Sequence, residues 1–280
     1  MNYIEIKAPA KINIGLDILS RRNDGYHNLS TLFYPLNDLY DILKFSKSDK
    51  FEFICSDNTL GDINSNLVVK AKNILESYSK KEIKIKIELI KNIPSQAGLG
   101  GGSSDAAATL ISLNEFLNLN IKYEQLLDIA LSLGSDVPFF LKAKPAIGTS
   151  RGEMLEQFFF EISEPILIIN PRINISTKEA FQNINPSNTP THFVKLIKDG
   201  KLNLIEGKSI LKNDFEKYVF DKYPEISKIK QTMYEYNASL SLMSGSGSTV
   251  FGIFQNVDDA KKALSNMRSD YFNYLCNIES

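Results

Sequence analysis

Two hydrophobic rhythms divide the chain. The first half opens on strand-like runs, YIEIKAPAKINIGLDIL, YDILKFS and KFEFICS, in which β-branched and aromatic residues favour extended backbone. LVVKAKNILESYSK follows with apolar residues at helical spacing, and IKIKIELI then alternates strictly, a half-buried strand with Lys84 and Lys86 on its polar face. Next stands PSQAGLGGGSSDAAATLISLNEFLNL, a glycine turn running into an apolar helix. The second half reads strand (PILIINP), helix (TKEAFQNI), helix (EISKIKQTMYEYN), strand (SLSLMS), strand (STVFGIF), helix (DDAKKALSNMR) and strand (YFNYLCNI). That order predicts an α+β layer with helices on one face of an antiparallel sheet. NINPSNTPTHF between them is a long loop. The boundary between halves is placed near residue 160, giving domains 1–160 and 161–280. No repeat of 20 to 50 residues is visible, which argues against a solenoid or propeller.

Composition narrows the class of partner. With 280 residues, 43% of them hydrophobic, the chain has room for two packed cores. A net charge of -1 supplies no global field for a nucleic acid or an anionic membrane, so anionic small molecules must be held locally. Cys55 and Cys276 have apolar neighbours, which predicts two buried thiols and a reducing compartment. The first residues lack the basic segment and long apolar core of a signal peptide, and no later run reaches the length of a membrane span. The expectation is a cytoplasmic protein, with monomer and weak homodimer both left open.

Pro94 to Ala108 carries the strongest local signal: Gly98, Gly100, Gly101 and Gly102, then Ser103, Ser104 and Asp105, then a helix. Glycines allow successive backbone N–H groups to turn toward one anion, and the N-terminus of the helix favours a phosphate. Ser103 or Ser104 is the expected cap of that helix. Two better-known phosphate motifs do not fit. Gly207, Lys208 and Ser209 supply the tail of a Walker A loop, but Leu202 stands where its first glycine belongs. In a dinucleotide fingerprint Ser103 would fall at the third glycine. A flexible structural turn is the plain alternative, yet four glycines cost entropy on ordering that such a turn rarely needs.

PSQAGLGGGSSDAA resembles the P-x-x-x-G-L-G-G-G-S-S-x-A-A phosphate loop of the GHMP superfamily of small-molecule kinases, covering Pro94, Gly98, Leu99, Gly100, Gly101, Gly102, Ser103 and Ser104. APAKINIGLDILSRRNDGYHNLSTLF before it, LGSDVPFFL after it and LMSGSGSTVFGIF near the end stand in the family's order and reach both halves of the chain. DGYHNL and GSDVPFF are similar to the branch whose members act on a cytidyl-bearing alcohol. Two departures stand out: Ser95 and Gln96 fill loop positions more often small and apolar, and GTSRGEMLE replaces a GxGE-like turn. The resemblance implies a two-domain fold, an N-terminal mixed α/β domain carrying the phosphate loop and a C-terminal ferredoxin-like α+β domain. It implies transfer of phosphate from ATP, bound with Mg2+, to the 2-hydroxyl of 4-diphosphocytidyl-2-C-methyl-D-erythritol in the non-mevalonate route to isoprenoid precursors.

Roles follow from the same resemblance. Asp136 is the implied general base, whereas without the motif it would read as a helix-capping aspartate. Lys11 is the implied partner of that base, neutralising charge at the transferred group, although a lone lysine in a strand is ordinarily a solvated face. Asn13 points to the same side of the strand and is expected to reach the substrate hydroxyls. Tyr26 and Phe181 are implied to stack on the cytosine, His27 to read its edge, and Phe33 to line the pocket; each alone would pass for a core aromatic or a surface histidine. His192 keeps the plain reading of a polar-loop residue. No HxH, CxxC or acidic cluster suggests a protein-built metal site, so Mg2+ is expected to arrive with ATP and to lean on a loop serine such as Ser103. The turn at Gly245 to Ser248 is expected to pack beneath the first glycine loop. The alternatives are a mevalonate- or homoserine-type kinase, a diphosphate decarboxylase on the same fold, and a non-catalytic nucleotide-binding sensor.

Overall fold

The computed structural model describes residues 3–58 and 61–277. Two long strands, β1 (Tyr3–Arg21) and β2 (His27–Lys47), pair with each other and contribute residues to both of the units into which the contacts of the chain divide.

The first unit comprises the described residues of 1–10, 39–95 and 100–143. It holds β3 (Glu52–Cys55), α1 (Leu67–Ser79), β4 (Ile85–Ile90), α2 (Gly101–Phe116), α3 (Tyr123–Leu133) and the one-turn α4 (Val137–Phe140). β4 runs antiparallel to the end of β2, from Ile42 opposite Ile90 to Lys47 opposite Ile85, and β3 lies parallel to β4. Ile85, Ile87 and Leu89 face the core, while Lys86 and Glu88 pair on the other face, as period-two alternation requires. The Asn66 side chain accepts from the Val68 N–H at 2.9 Å and so starts α1. Ala106, Ala107, Ala108, Leu110 and Leu113 are buried along α2, and these small side chains let α1 pack close against it.

The second unit takes in the described residues of 11–38, 96–99 and 144–280. Here the start of β2 pairs antiparallel with β5 (Ala146–Ser150), which pairs with β6 (Met154–Gln157). Beyond these come β7 (Ile166–Asn170), α5 (Thr177–Gln182), the two-residue strands β8 (Ile197–Lys198) and β9 (Lys201–Leu202), α6 (Leu204–Ile210), α7 (Glu216–Lys222), α8 (Pro224–Glu235), β10 (Ala238–Met243), β11 (Val250–Phe254), α9 (Val257–Ser265) and β12 (Phe272–Cys276). Four strands form an antiparallel sheet ordered β10-β11-β7-β12. With two helical crossovers in that order, this is the expected ferredoxin-like layer. β7 is central and buried throughout, and Leu167 and Ile169 join Phe215, Val219, Ile226, Ile229, Met233, Ala260 and Ala263 in one core.

Some expectations change. β5, β6, α3, α4, α6 and α7 add to the elements expected from the sequence. Cys276 is a buried free thiol, with burial pushing its pKa up to about 12, but Cys55 is only half-buried because β3 is flanked on a single side by β4. Among the described residues no helix is long and apolar enough to cross a membrane.

Asn213 ties the second unit together. Its Nδ2 donates to the carbonyls of Met243 (2.7 Å) and Gly245 (2.8 Å), and its Oδ1 accepts from the Phe215 N–H at 3.0 Å. Replacing it leaves buried carbonyls without donors, so Asn213→Ala is expected to lower unfolding stability by about 2 to 4 kcal/mol. Urea denaturation checks this, and a midpoint equal to that of the wild type would contradict it.

Candidate active site

The glycine loop is shaped by a second glycine turn. Gly98 has φ +77°, and a Cβ placed on it would lie 2.1 Å from the Ser244 carbonyl oxygen, so only glycine fits. The Ser244 hydroxyl donates to the Gly98 carbonyl at 2.9 Å, and the Thr249 N–H donates to the Ala97 carbonyl at 3.3 Å. The expected packing of the 245–248 turn against the first loop is therefore present.

Lys11 lies in the same unit. It is only 3% exposed, against the ordinary expectation for a strand lysine. Its Nζ donates to Asn13 Oδ1 at 2.6 Å and to the Gly98 carbonyl at 3.2 Å, and it stands 5.4 Å from the Phe33 ring centroid. Its backbone N–H donates to the Leu99 carbonyl at 2.9 Å. Asn13 is also buried: its Nδ2 donates to Thr31 Oγ1 at 2.9 Å, and Thr31 in turn donates to the Gly15 carbonyl at 2.7 Å. Its amide is thus oriented to offer oxygen to the lysine, and orienting Lys11 is the role its contacts display. Phe33, 2% exposed, forms a floor whose ring closes on Gly148, where an added Cβ would sit 2.5 Å away.

In the first unit, Gly100 has φ +73° and is the N-cap of α2, with no side-chain cap. The expected serine cap is corrected: Ser103 and Ser104 lie inside the first turn, because the glycines start the helix earlier. The Gly101, Gly102 and Ser103 N–H groups of that turn therefore have no capping side chain, the arrangement that suits an anion. Gly102 is exposed, Ser103 half-buried, and the buried Ser104 hydroxyl has no hydrogen-bond partner. Pro94 is half-buried. Asp136 is half-buried at the N-cap position of α4, but its side chain makes no cap hydrogen bond. α4 packs against α2 in this unit.

A buried ionic group missed by sequence reading supports the start of α2. Lys91 donates to Asp105 Oδ2 at 2.8 Å and pairs closely with Asp41, whose other oxygen accepts the N–H groups of Asn92 (2.6 Å) and Ile93 (2.8 Å). Burial pushes the Asp105 carboxyl up to about 7, Lys91 opposing the shift and Asp41 adding to it. A cleft of ≈ 370 Å³ lies nearby, lined by Phe53, Ile54, Cys55 and Asn66 among others. Its neighbour Leu67, the first residue of α1, comes within 3.8 Å of a Cβ placed on Gly102. The cleft thus adjoins the first turn of α2.

In the second unit the DGYH turn presents Tyr26, 53% exposed, and His27, which stacks on Phe181 with ring centroids 5.0 Å apart and 20° between planes. Phe181 meets Phe215 edge-on at 4.9 Å. Burial, aided by the charge of Arg21, lowers the His27 pKa and so favours the neutral imidazole, which has one donor and one acceptor nitrogen. Gly207, Lys208 and Ser209 fall inside α6, as befits an accidental Walker match. His192 lies in the loop before a 3-10 turn.

Fold and loop together define a class, and comparison with known proteins agrees. The model for the GHMP kinases N terminal domain matches residues 66–144, and that for the GHMP kinases C terminal matches 195–273. The chain belongs to the GHMP kinases. It is 38% identical over 276 residues to 4-diphosphocytidyl-2-C-methyl-D-erythritol kinase of Thermoanaerobacter pseudethanolicus, covering 97% of this chain and 94% of the relative. With the enzyme of the same name from Chlorobium phaeobacteroides it shares 41% over 280 residues, 97% and 96% covered. A crystal structure of 4-(cytidine 5'-diphospho)-2C-methyl-D-erythritol kinase superposes with a TM-score of 0.84 at 31% identity, covering 98% of both chains.

The raised Asp105 pKa has a definite sign. A carboxyl whose folded pKa of about 7 exceeds the ordinary aspartate value of about 3.9 binds its proton more tightly when folded. Its contribution to stability is full below the ordinary value and is lost as pH rises through the folded one. Wild type is therefore expected to lose stability between about pH 4 and pH 7 relative to Asp105→Asn. Parallel stability curves for the two proteins across that range would contradict the assignment.

Proposed function

We propose that the chain transfers the γ-phosphoryl group of ATP to the 2-hydroxyl of 4-diphosphocytidyl-2-C-methyl-D-erythritol, in the non-mevalonate route to isoprenoid precursors. The observation that carries this reading is Lys11. A buried ammonium is costly unless its donors are engaged, and here it is fixed by Asn13 and by a carbonyl of the glycine loop itself. A cation so fixed needs no reorganisation when charge develops on the transferred group. The full-length similarity to relatives named for this substrate favours it over mevalonate, homoserine or a decarboxylation.

Each part then has a role. The N–H groups at the start of α2 and the glycines Gly98, Gly100, Gly101 and Gly102 hold the phosphates of ATP, and the cleft beside Asn66 takes its base. The loop fits such a group, since the first turn carries no capping side chain and the Ser104 hydroxyl is buried without a partner. Mg2+, when bound with ATP, would be held by phosphate oxygens and a loop hydroxyl such as that of Ser103, and would lessen the repulsion between phosphates. Asp136 receives the proton of the attacking hydroxyl, and Lys11 neutralises charge at the transferred group. Tyr26, His27 and Phe181 bind the cytosine. The stack of His27 on Phe181 leaves no gap for a base between those two rings, so the base takes the exposed Tyr26 and reads the imidazole edge. Residues 1–160 form the ATP-binding domain on this reading and 161–280 the second domain.

The test is a panel of alcohols with Mg-ATP, scored for ADP release. The cytidyl substrate is expected to exceed mevalonate and homoserine by orders of magnitude, and preference for either of those would refute the assignment. Asp136→Asn is expected to keep ATP binding but to lose about 10²-fold or more in kcat, the range of a missing general base. Near-normal turnover of that variant would remove Asp136 from the mechanism.

A further inference from the structure

The turn at residues 150–153 departs from the family's GxGE-like pattern by carrying Ser150 in place of the first glycine, and its variable position is Arg151, to which the structure gives a definite position. Ser150 is in the left-handed region, φ +62°. Glu153 closes the turn: its carboxylate accepts from the Ser150 hydroxyl at 3.0 Å and from the Arg151 N–H at 2.7 Å. The Arg151 guanidinium is directed onto Tyr26, 4.7 Å from the ring centroid, within cation–π range.

The two turns are tied together. Arg22 donates to Asn28 Oδ1 at 3.2 Å and to the Ser150 hydroxyl at 2.9 Å, and its Nε lies 3.0 Å from Asp24 Oδ2. Asp24 also accepts the Tyr26 N–H at 3.1 Å. Arg22 is therefore committed to holding the DGYH turn against the 150–153 turn. Arg151 is different: its nearest carboxylate oxygen, on Glu153, is 3.7 Å from Nε, beyond hydrogen-bond reach, and that carboxylate already serves the turn.

We infer that Arg151 is a specificity-determining residue that binds the phosphate next to the base of a nucleoside-diphosphate substrate, with Tyr26 as the platform for the base. This rests on the reading of Tyr26 and His27 as the cytosine site. The phosphate nearest the base is one sugar away from it, so a substrate stacked on Tyr26 brings that phosphate beside the cation against the same ring. A guanidinium suits the task, being planar, permanently charged and able to give two parallel hydrogen bonds to phosphate oxygens. Arg22 preserves the distance between ring and cation, because it ties the two turns that carry them.

The experiment compares inhibition of the intact enzyme by cytidine and by cytidine 5'-diphosphate in wild type, Arg151→Ala and Arg151→Lys. Wild type is expected to prefer the diphosphate, and Arg151→Ala to reduce that preference by about tenfold, the loss of one charge-assisted hydrogen-bonded contact. Arg151→Lys should restore part of it, and KM for ATP should stay unchanged in both. A preference that survives in Arg151→Ala overturns the inference while leaving the cytosine site in place, since weaker binding of both ligands alike means that Arg151 only backs the Tyr26 ring. Failure of the wild type to bind either ligand overturns the cytosine reading and this inference with it.

Discussion

Contact between two glycine turns is the constraint on which the candidate site residues of the second unit depend. Gly98 approaches the Ser244 carbonyl so closely that no side chain can stand there, and the Ser244 hydroxyl turns back to the Gly98 carbonyl. That carbonyl is also an acceptor for the Lys11 ammonium. One peptide oxygen therefore joins loop, turn and buried cation. The Ser244 hydroxyl further accepts the Asn13 N–H at 3.2 Å, which extends the connection into the strand that carries Lys11. Asn213, by holding the carbonyls of Met243 and Gly245, keeps the second turn in place from below.

Burying a lysine this way is expensive, and the surroundings show how the cost is met. The ammonium has a side-chain amide oxygen and a carbonyl within hydrogen-bond reach, and an aromatic face nearby. Asn13 cannot flip without losing its bond to Thr31, whose own proton is committed to the Gly15 carbonyl. Such a satisfied chain of polar groups rigidifies a core, whereas a partly satisfied one would destabilise it. The direction of the Asn13 amide thus follows from a residue on the neighbouring strand.

How much of this was legible in the sequence depends on the range of the interaction. The helix of the glycine loop, the alternating strand at Ile85 to Ile90 and the α+β order of the second half follow from local periodicity, and the structure contains all of them. β5 and β6 did not, because they are short and Ala146, Gly148 and Gly152 have none of the bulk that marks a strand; Gly148 is small for the sake of Phe33, more than a hundred residues away in sequence. The Lys91 group escaped for a related reason. Asp41 lies within β2 and Lys91 just past the end of β4, and neither sits in a motif, so only the fold reveals that both are buried. The serine cap failed on a local point: a glycine in the left-handed conformation begins α2 before either serine is reached. Motif resemblance pointed to Lys11, but its burial belongs to tertiary structure, since the same lysine on an edge would be solvated.

Strand and turn carry different duties in the second unit, and the difference has a mechanical basis. Lys11 and Asn13 stand on β1, where their N–H groups are held by the Leu99 carbonyl and the Ser244 hydroxyl and buried neighbours such as Ile12 and Ile14 leave little freedom. Charge developing at a reacting centre demands that rigidity, because a cation that must reorganise loses much of its effect. Tyr26 and Arg151 stand instead on turns, exposed or half-buried, where a residue can change without disturbing a core. Turns left to themselves would place a stacking ring poorly. Arg22 corrects this by spanning Asp24, Asn28 and Ser150, which converts two loops into one braced wall. The spacing of the Tyr26 ring and the Arg151 cation thus depends on a third residue, Arg22, whose hydrogen bonds join the two turns that carry them.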